Sequence, residues 1–211
     1  MSDLKVGIMV IVSSPSGVGK TTLVKKISSE NNFSISISHT TRKPRSYELD
    51  GSHYFFVSIS EFKKLISNEK FIEYAKVFDN YYGSLKDTVI DKLNKGENII
   101  FDIDWQGTEQ IKQKDLKYKI ITVFILPPSI EELFERLLKR EQNDEKIVNE
   151  RMKQFKKDVL HWKNYDFVVI NDNIQRCYNR IIDFIDKKKR GDLVSNYNKN
   201  QIKQHIELLI K

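Results

Sequence analysis

The run Gly7-Ile8-Met9-Val10-Ile11-Val12 constrains the chain more than any other, because it has the length and composition of a buried strand and opens directly onto Ser13-Ser14-Pro15-Ser16-Gly17-Val18-Gly19-Lys20-Thr21-Thr22. Strand, glycine-containing turn and helix, in that order, form the setting of a phosphate-binding P-loop. Glycines at 17 and 19 let backbone N–H groups turn inward, the helix that follows offers its positive N-terminus, Lys20 brings a point charge, and the Thr21 hydroxyl suits Mg²⁺. Ser14 departs from the pattern, which has glycine there. A plain Gly/Ser turn is the competing reading of the segment.

Five apolar segments, 7–12, 34–38, 98–103, 120–126 and 167–170, alternate with helical patterns. That alternation predicts an α/β chain with a five-stranded parallel sheet and helices on both faces. Helices are expected from Thr21 to Ser29, from a capping box at Ser129 and Glu132 through Leu138, and from Asn173 to Lys189. Two insertions interrupt the pattern. Residues 39–88 hold strand-like Tyr54–Val57 and Phe71–Ala75, a helical stretch near 60–67 and Asn80-Tyr81-Tyr82-Gly83-Ser84, enough for a small α+β subdomain. Residues 140–151 are strongly polar and predict a mobile lid rather than packed structure. A single domain over 1–211 results, with its core at 1–38 and 89–190 and a tail at 191–211 whose Ile202, Ile206, Leu209 and Ile210 suggest a short amphipathic helix lying on the domain.

With 211 residues the chain can bury a full core, and one cysteine, Cys177, excludes an intrachain disulfide. Met1-Ser2-Asp3-Leu4-Lys5 is polar, and no apolar run approaches the ~20 residues needed to cross a bilayer. A cytoplasmic protein without a membrane partner is expected. The net charge of +7 is spread along the chain among 29 acidic residues, a poor footprint for nucleic acid and a fair one for polyphosphate ligands. Homo-oligomerisation stays open. Lysine is the default cation: 28 Lys stand against eight Arg, and five of those arginines, Arg42, Arg45, Arg136, Arg140 and Arg151, fall in the two insertions and the helix between them. Planar guanidinium forks are hard to replace where phosphate must be gripped.

Pro44 stiffens a turn that carries Arg42 and Arg45, a geometry suited to a phosphate dianion, though a solvated cationic turn would look similar. Glu73, between Phe71-Ile72 and Tyr74-Ala75, is either a buried carboxylate that needs a partner or the exposed face of an alternating strand. Asp102 and Asp104 end an apolar strand where ligands of open α/β sheets bind, or are ordinary turn residues. Arg136 and Arg140 share one helix face, which disfavours an isolated helix unless an anion lies between them. His39, His53, His161 and His205 show no metal-ligand spacing.

Taken together, Ser14-Pro15-Ser16-Gly17-Val18-Gly19-Lys20, Thr40-Thr41-Arg42-Lys43-Pro44-Arg45, Phe71-Ile72-Glu73-Tyr74, Asn80-Tyr81-Tyr82-Gly83-Ser84, Asp102-Ile103-Asp104-Trp105-Gln106-Gly107 and Ile170-Asn171-Asp172 resemble the guanylate kinases over about residues 8–186. The resemblance implies the P-loop NTPase fold with an inserted nucleoside-monophosphate-binding subdomain, and transfer of the γ-phosphoryl of MgATP to GMP and dGMP. It implies that residues 14–22 cradle ATP with Asn171 at the adenine, and that Thr21, with Asp102 behind it, serves Mg²⁺. Arg42, Arg45, Tyr54 and Tyr82 would hold the GMP phosphate; Glu73 and Ser38, with Ser84 and Asp104, would read guanine; Lys20, Arg136, Arg140 and Arg151 would act on the phosphoryl group. Two other classes remain: a non-catalytic interaction domain of the same fold, disfavoured by the intact Gly19-Lys20-Thr21, and a P-loop phosphotransferase for another small acceptor.

Overall fold

A computed structural model describes residues 6–192 and 199–211. The expectations placed on Met1–Lys5 and on the middle of the tail lie outside these residues. The main sheet consists of β1 (Met9–Ser13), β2 (Phe33–Ile35), β7 (Asn98–Asp102), β8 (Ile120–Leu126) and β9 (Phe167–Ile170), all parallel, in the order β2-β7-β1-β8-β9. β1 is central because both of its faces are apolar. Val10 and Val12 enter one core cluster with Leu23, Ile27, Leu133, Ile181 and Phe184, while Met9 and Ile11 enter the other with Val89, Leu93, Phe101 and Ile111. Each such side chain contributes about 1.5–3 kcal/mol when fully buried.

The helices that supply those faces are α1 (Lys20–Asn31), α3 (Lys86–Asn94), α4 (Trp105–Gln113), α5 (Ile130–Arg140), α6 (Glu145–Asp158) and α7 (Ile174–Arg190). A second sheet of β3 (His39–Thr40), β4 (Phe55–Phe56), β5 (Phe71–Val77) and β6 (Asn80–Leu85), in the order β4-β3-β6-β5, forms the expected inserted subdomain with α2 (Ile59–Ser67). Phe62 of α2 stacks on Phe71 (4.6 Å) and Tyr81 (5.4 Å) and gives the subdomain its own core. It is fastened to the main domain where α4 lies along β5: Gln110 accepts from Tyr74 N (3.1 Å) and donates to Tyr74 O (2.6 Å), as an added strand would.

The structure corrects three expectations. Residues 140–151 are not loose: Gln142 and Asn143, at φ 53° and 65°, reverse the chain, Asp144 caps α6 at Ile147 N, and Val148 is fully buried. Val148, Met152 and Phe155 recur at helical spacing, so α6 has an apolar stripe that docks on the core despite its polar composition. At Ser129 only half a capping box forms, because the hydroxyl accepts from Glu132 N while the Glu132 carboxylate turns to Arg136; the reciprocal box is at Ser58 and Glu61. The insertion boundary at 88 falls inside α3, which starts at Lys86. The tail helix α8 (Lys199–Ile210) buries Ile202, Ile206 and Leu209 in the main core cluster, and His205 Nε2 lies 2.8 Å from Pro127 O.

Candidate active site

The parallel register of β1 and β7 sets Val12 beside Asp102, so the loop that leaves β1 runs past the end of β7. Lys20 Nζ lies 2.7 Å from Asp102 Oδ1 and donates to Ile103 O (3.0 Å), and Thr21 Oγ1 donates to Asp102 Oδ2 (2.7 Å). Pro15 and Val18 are buried, Ser14 Oγ closes on Pro15 O (2.8 Å), and Thr22 is exposed in the first turn of α1. Gly17 and Gly19 adopt φ 88° and 93°, and a Cβ would stand 2.9 Å from Leu137 Cδ2 at 17 and 2.7 Å from Asn171 Nδ2 at 19. Both glycines are required by backbone conformation and by what lies against them.

Asn171, expected at the adenine, lies against the phosphate loop. Its Nδ2 donates to Val18 O (2.7 Å), a buried contact that pins the loop from the end of β9. The three arginines of α5 and α6 converge on the same loop. Arg136 Nη1 reaches Val18 O (3.5 Å), while Arg140 Nη1 (3.3 Å) and Arg151 Nη1 (3.0 Å) both donate to Ser16 Oγ. Arg136 and Arg140 each have a carboxylate beside them: Glu132 pairs with Arg136, and Glu141 Oε1 lies 3.4 Å from Arg140 Nε and 3.2 Å from Arg151 Nε. Burial, then the charges of Arg45 and Arg151, push the Arg140 guanidinium below its ordinary value. Arg45 belongs to the inserted subdomain, and that subdomain meets α6 where the Arg151 guanidinium stands 5.1 Å from the centre of the Phe78 ring.

On the subdomain side, Arg42 forks onto Glu48 through Nη1 and Nη2, each 2.9 Å from a carboxylate oxygen, and Arg45 adds its backbone N (2.8 Å) and Nη1 (3.5 Å). Burial alone would raise the Glu48 carboxyl, but Arg42, then Arg45, outweigh it and the net shift is downward. Tyr54 meets Tyr82 edge to face at 6.0 Å, with Arg42 5.3 Å from the Tyr54 ring. Burial raises the Tyr54 phenol, and the charge of Asp102 adds to the shift.

Glu73 is 3 % exposed. Its Oε1 accepts from Ser84 Oγ (2.7 Å), and Ser84 Oγ stands 3.4 Å from Ser38 Oγ, so three of the four residues expected at the base meet in one buried place. Burial, chiefly, pushes the Glu73 carboxyl up to about 7; Ser84 opposes the shift and Asp104 adds to it. The Asp104 carboxylate is taken up as the cap of α4, accepting from Gly107 N (3.1 Å) and Gln106 Nε2 (3.0 Å). Sequence reasoning gave no role of their own to Glu48, Glu141 and Gly107. Glu48 follows the second arginine of the Arg-Lys-Pro-Arg turn by three residues and Gly107 closes the Asp102–Gly107 run, so both carried a signal; Glu141 had none.

A phosphate-binding loop, five arginines each paired with a carboxylate and a buried hydrogen-bonding carboxylate are groups whose chemistry suits phosphorylated ligands. The family model described as Guanylate kinase matches residues 7–188. The guanylate kinase of Rickettsia prowazekii (strain Madrid E) is 45 % identical over 180 residues, covering 85 % of this chain and 90 % of that protein. That of Bartonella henselae is 43 % identical over 175 residues, covering 83 % and 78 %. The crystal structure of guanylate kinase from Anaplasma phagocytophilum superimposes with a TM-score of 0.71 at 33 % identity, covering 87 % of each chain.

Proposed function

The chain belongs to the guanylate kinase family, and on that premise we propose how its own residues carry the family reaction. It is an ATP:GMP phosphotransferase that yields ADP and GDP. In our reading the P-loop, residues 14–22, holds the ATP phosphates, with Asn171 bracing the loop at Val18. Arg42 and Arg45, with Tyr54 and Tyr82, hold the phosphate of GMP once Glu48 has oriented the two forks. Glu73 reads the base with Ser38 and Ser84. Guanine presents N1–H and N2–H₂ side by side, and one carboxylate accepts both; adenine places an acceptor there and would leave a buried carboxylate oxygen unpaired. The buried Glu73 carboxylate is the observation that carries this reading.

Phosphoryl transfer between phosphates needs positioning and charge neutralisation rather than a covalent enzyme intermediate. Lys20, Arg136, Arg140 and Arg151 supply the positive charge, and the approach of the subdomain to α5 and α6 keeps water from the acceptor's place. Thr21 Oγ1 and Asp102, oxygen donors in contact at 2.7 Å, fit Mg²⁺ bound with ATP, Thr21 directly and Asp102 behind it. When bound, that ion would neutralise phosphate charge. dGMP, with the same base edge and phosphate, is a second acceptor. A cytoplasmic place in purine nucleotide supply completes the proposal and is supported by the small-molecule substrates. The test is a coupled assay of ADP formation with GMP, dGMP, AMP, CMP and UMP. GMP and dGMP should exceed the others by orders of magnitude, and comparable turnover of AMP or UMP would overturn the assignment of Glu73.

A further inference from the structure

Phe78 occupies the turn between β5 and β6 with φ 53°, a left-handed conformation that glycine or asparagine adopts at far lower cost than a bulky aromatic residue. The residue is 43 % exposed. A strained, half-exposed phenylalanine at a hairpin tip calls for a reason outside the hairpin, and one lies across the cleft. The Arg151 guanidinium of α6 stands 5.1 Å from the centre of the Phe78 ring, within cation–π range. The same guanidinium donates to Ser16 Oγ of the phosphate loop at 3.0 Å. One side chain thus touches the acceptor subdomain and the donor site at once, and Arg45 and Tyr47 of the subdomain likewise lie within the field of Arg140.

We propose that Phe78 is a positioning residue, whose ring holds the Arg151 guanidinium over the phosphate loop when the inserted subdomain is against α6. The inserted subdomain thereby takes part, through one ring, in placing charge that phosphoryl transfer requires. The ring lies at the hairpin tip, apart from Glu73 and from the Arg42 and Arg45 turn, so its loss acts on turnover rather than on GMP affinity. This inference rests on the phosphotransferase reading above, and turnover of GMP by the unaltered protein in the same assay tests that reading separately.

The experiment is steady-state kinetics on the full chain with Phe78→Leu, Phe78→Tyr, Arg151→Lys and the Phe78→Leu/Arg151→Lys pair. Phe78→Leu keeps apolar bulk without a π face and should lower kcat about tenfold, about 1.4 kcal/mol, with KM for GMP within about twofold. Phe78→Tyr should restore kcat, and Phe78→Leu should cost little more once Arg151 is already lysine. Phe78→Asn, which suits the backbone angle, should repeat the loss of kcat with an unchanged or raised melting temperature. An unchanged kcat in Phe78→Leu and Phe78→Asn, an equal loss in Phe78→Tyr, or full additivity with Arg151→Lys would overturn the proposal.

Discussion

Glu73 and Gly107 approach so closely that a Cβ at 107 would clash with Glu73 Oε2 and stand 3.1 Å from its Cδ. Gly107 N meanwhile donates to the Asp104 cap. The bare backbone of the first turn of α4 is therefore one wall of the pocket that holds the carboxylate. Gly107→Ala should displace Glu73 from Ser84 at a cost of about 1–3 kcal/mol in stability. In kinetics, kcat/KM for GMP should drop at least tenfold while KM for ATP holds. Equal loss for both substrates would show that residue 107 shapes the whole cleft rather than the base pocket.

The raised carboxyl of Glu73 makes both stability and GMP binding depend on pH. Its ordinary value is 4.5 and its value in the folded chain about 7. The unfolded chain ionises first, so Glu73's contribution to stability is fully present below about pH 4.5 and is lost as pH rises through 7, by at most about 3 kcal/mol. Glu73→Gln should flatten that part of the profile of ligand-free stability, read by denaturant unfolding between pH 5 and pH 8. GMP needs the ionised acceptor, so its KM should rise as pH falls below 7 in the unaltered protein alone.

Glu48 holds both arginines of the phosphate turn with a carboxylate only 5 % exposed. Glu48→Gln keeps the shape but sets an amide N–H against a guanidinium, and KM for GMP should rise about tenfold, with KM for ATP unchanged. If both constants rise together, Glu48 supports the fold rather than the clamp.

The tail should matter for stability and not for chemistry. Ile206 is buried in the main core cluster, and no residue assigned a role in the reaction lies on α8. Ile206→Ala should lower stability by about 2–5 kcal/mol while leaving kcat at 25 °C near that of the unaltered protein. A large loss of kcat in a folded variant would mean that His205, against Pro127 O, transmits the position of α8 to the nucleotide cleft.

Much of this was legible in the residues, and what escaped did so for physical reasons. β8 and β9 were delimited at 120–126 and 167–170 because buried parallel strands leave uninterrupted apolar runs. The phosphate loop announced itself through glycines whose φ angles are positive. Glu73 could be placed on a strand but not on a face of it, since burial depends on α4, which packs there from thirty residues away. The five arginines stood out against a background of lysine, but the carboxylate each would meet did not, because Glu132 was read as half of a capping box and Glu141 looks locally like the other glutamates of a strongly charged chain. α6 was misread because its apolar stripe is one residue wide per turn. Phe78 carried no signal in the sequence, and only its φ and the position of Arg151 distinguish it.

The central claim is that Glu73 selects guanine, and kcat/KM for GMP and IMP in the unaltered protein and in Glu73→Gln tests it most directly. IMP keeps N1–H but lacks the 2-amino group, so it should already be a much poorer substrate of the unaltered protein. Glu73→Gln turns one acceptor oxygen into a donor facing the N2–H₂ donors, at a cost of about 2–4 kcal/mol, and should lower kcat/KM for GMP by about a hundredfold or more. IMP should lose far less, and the preference for GMP over IMP should shrink accordingly. Unchanged GMP activity, or equal losses with GMP and IMP, would contradict the account and shift base recognition to Ser38, Ser84 or Asp104.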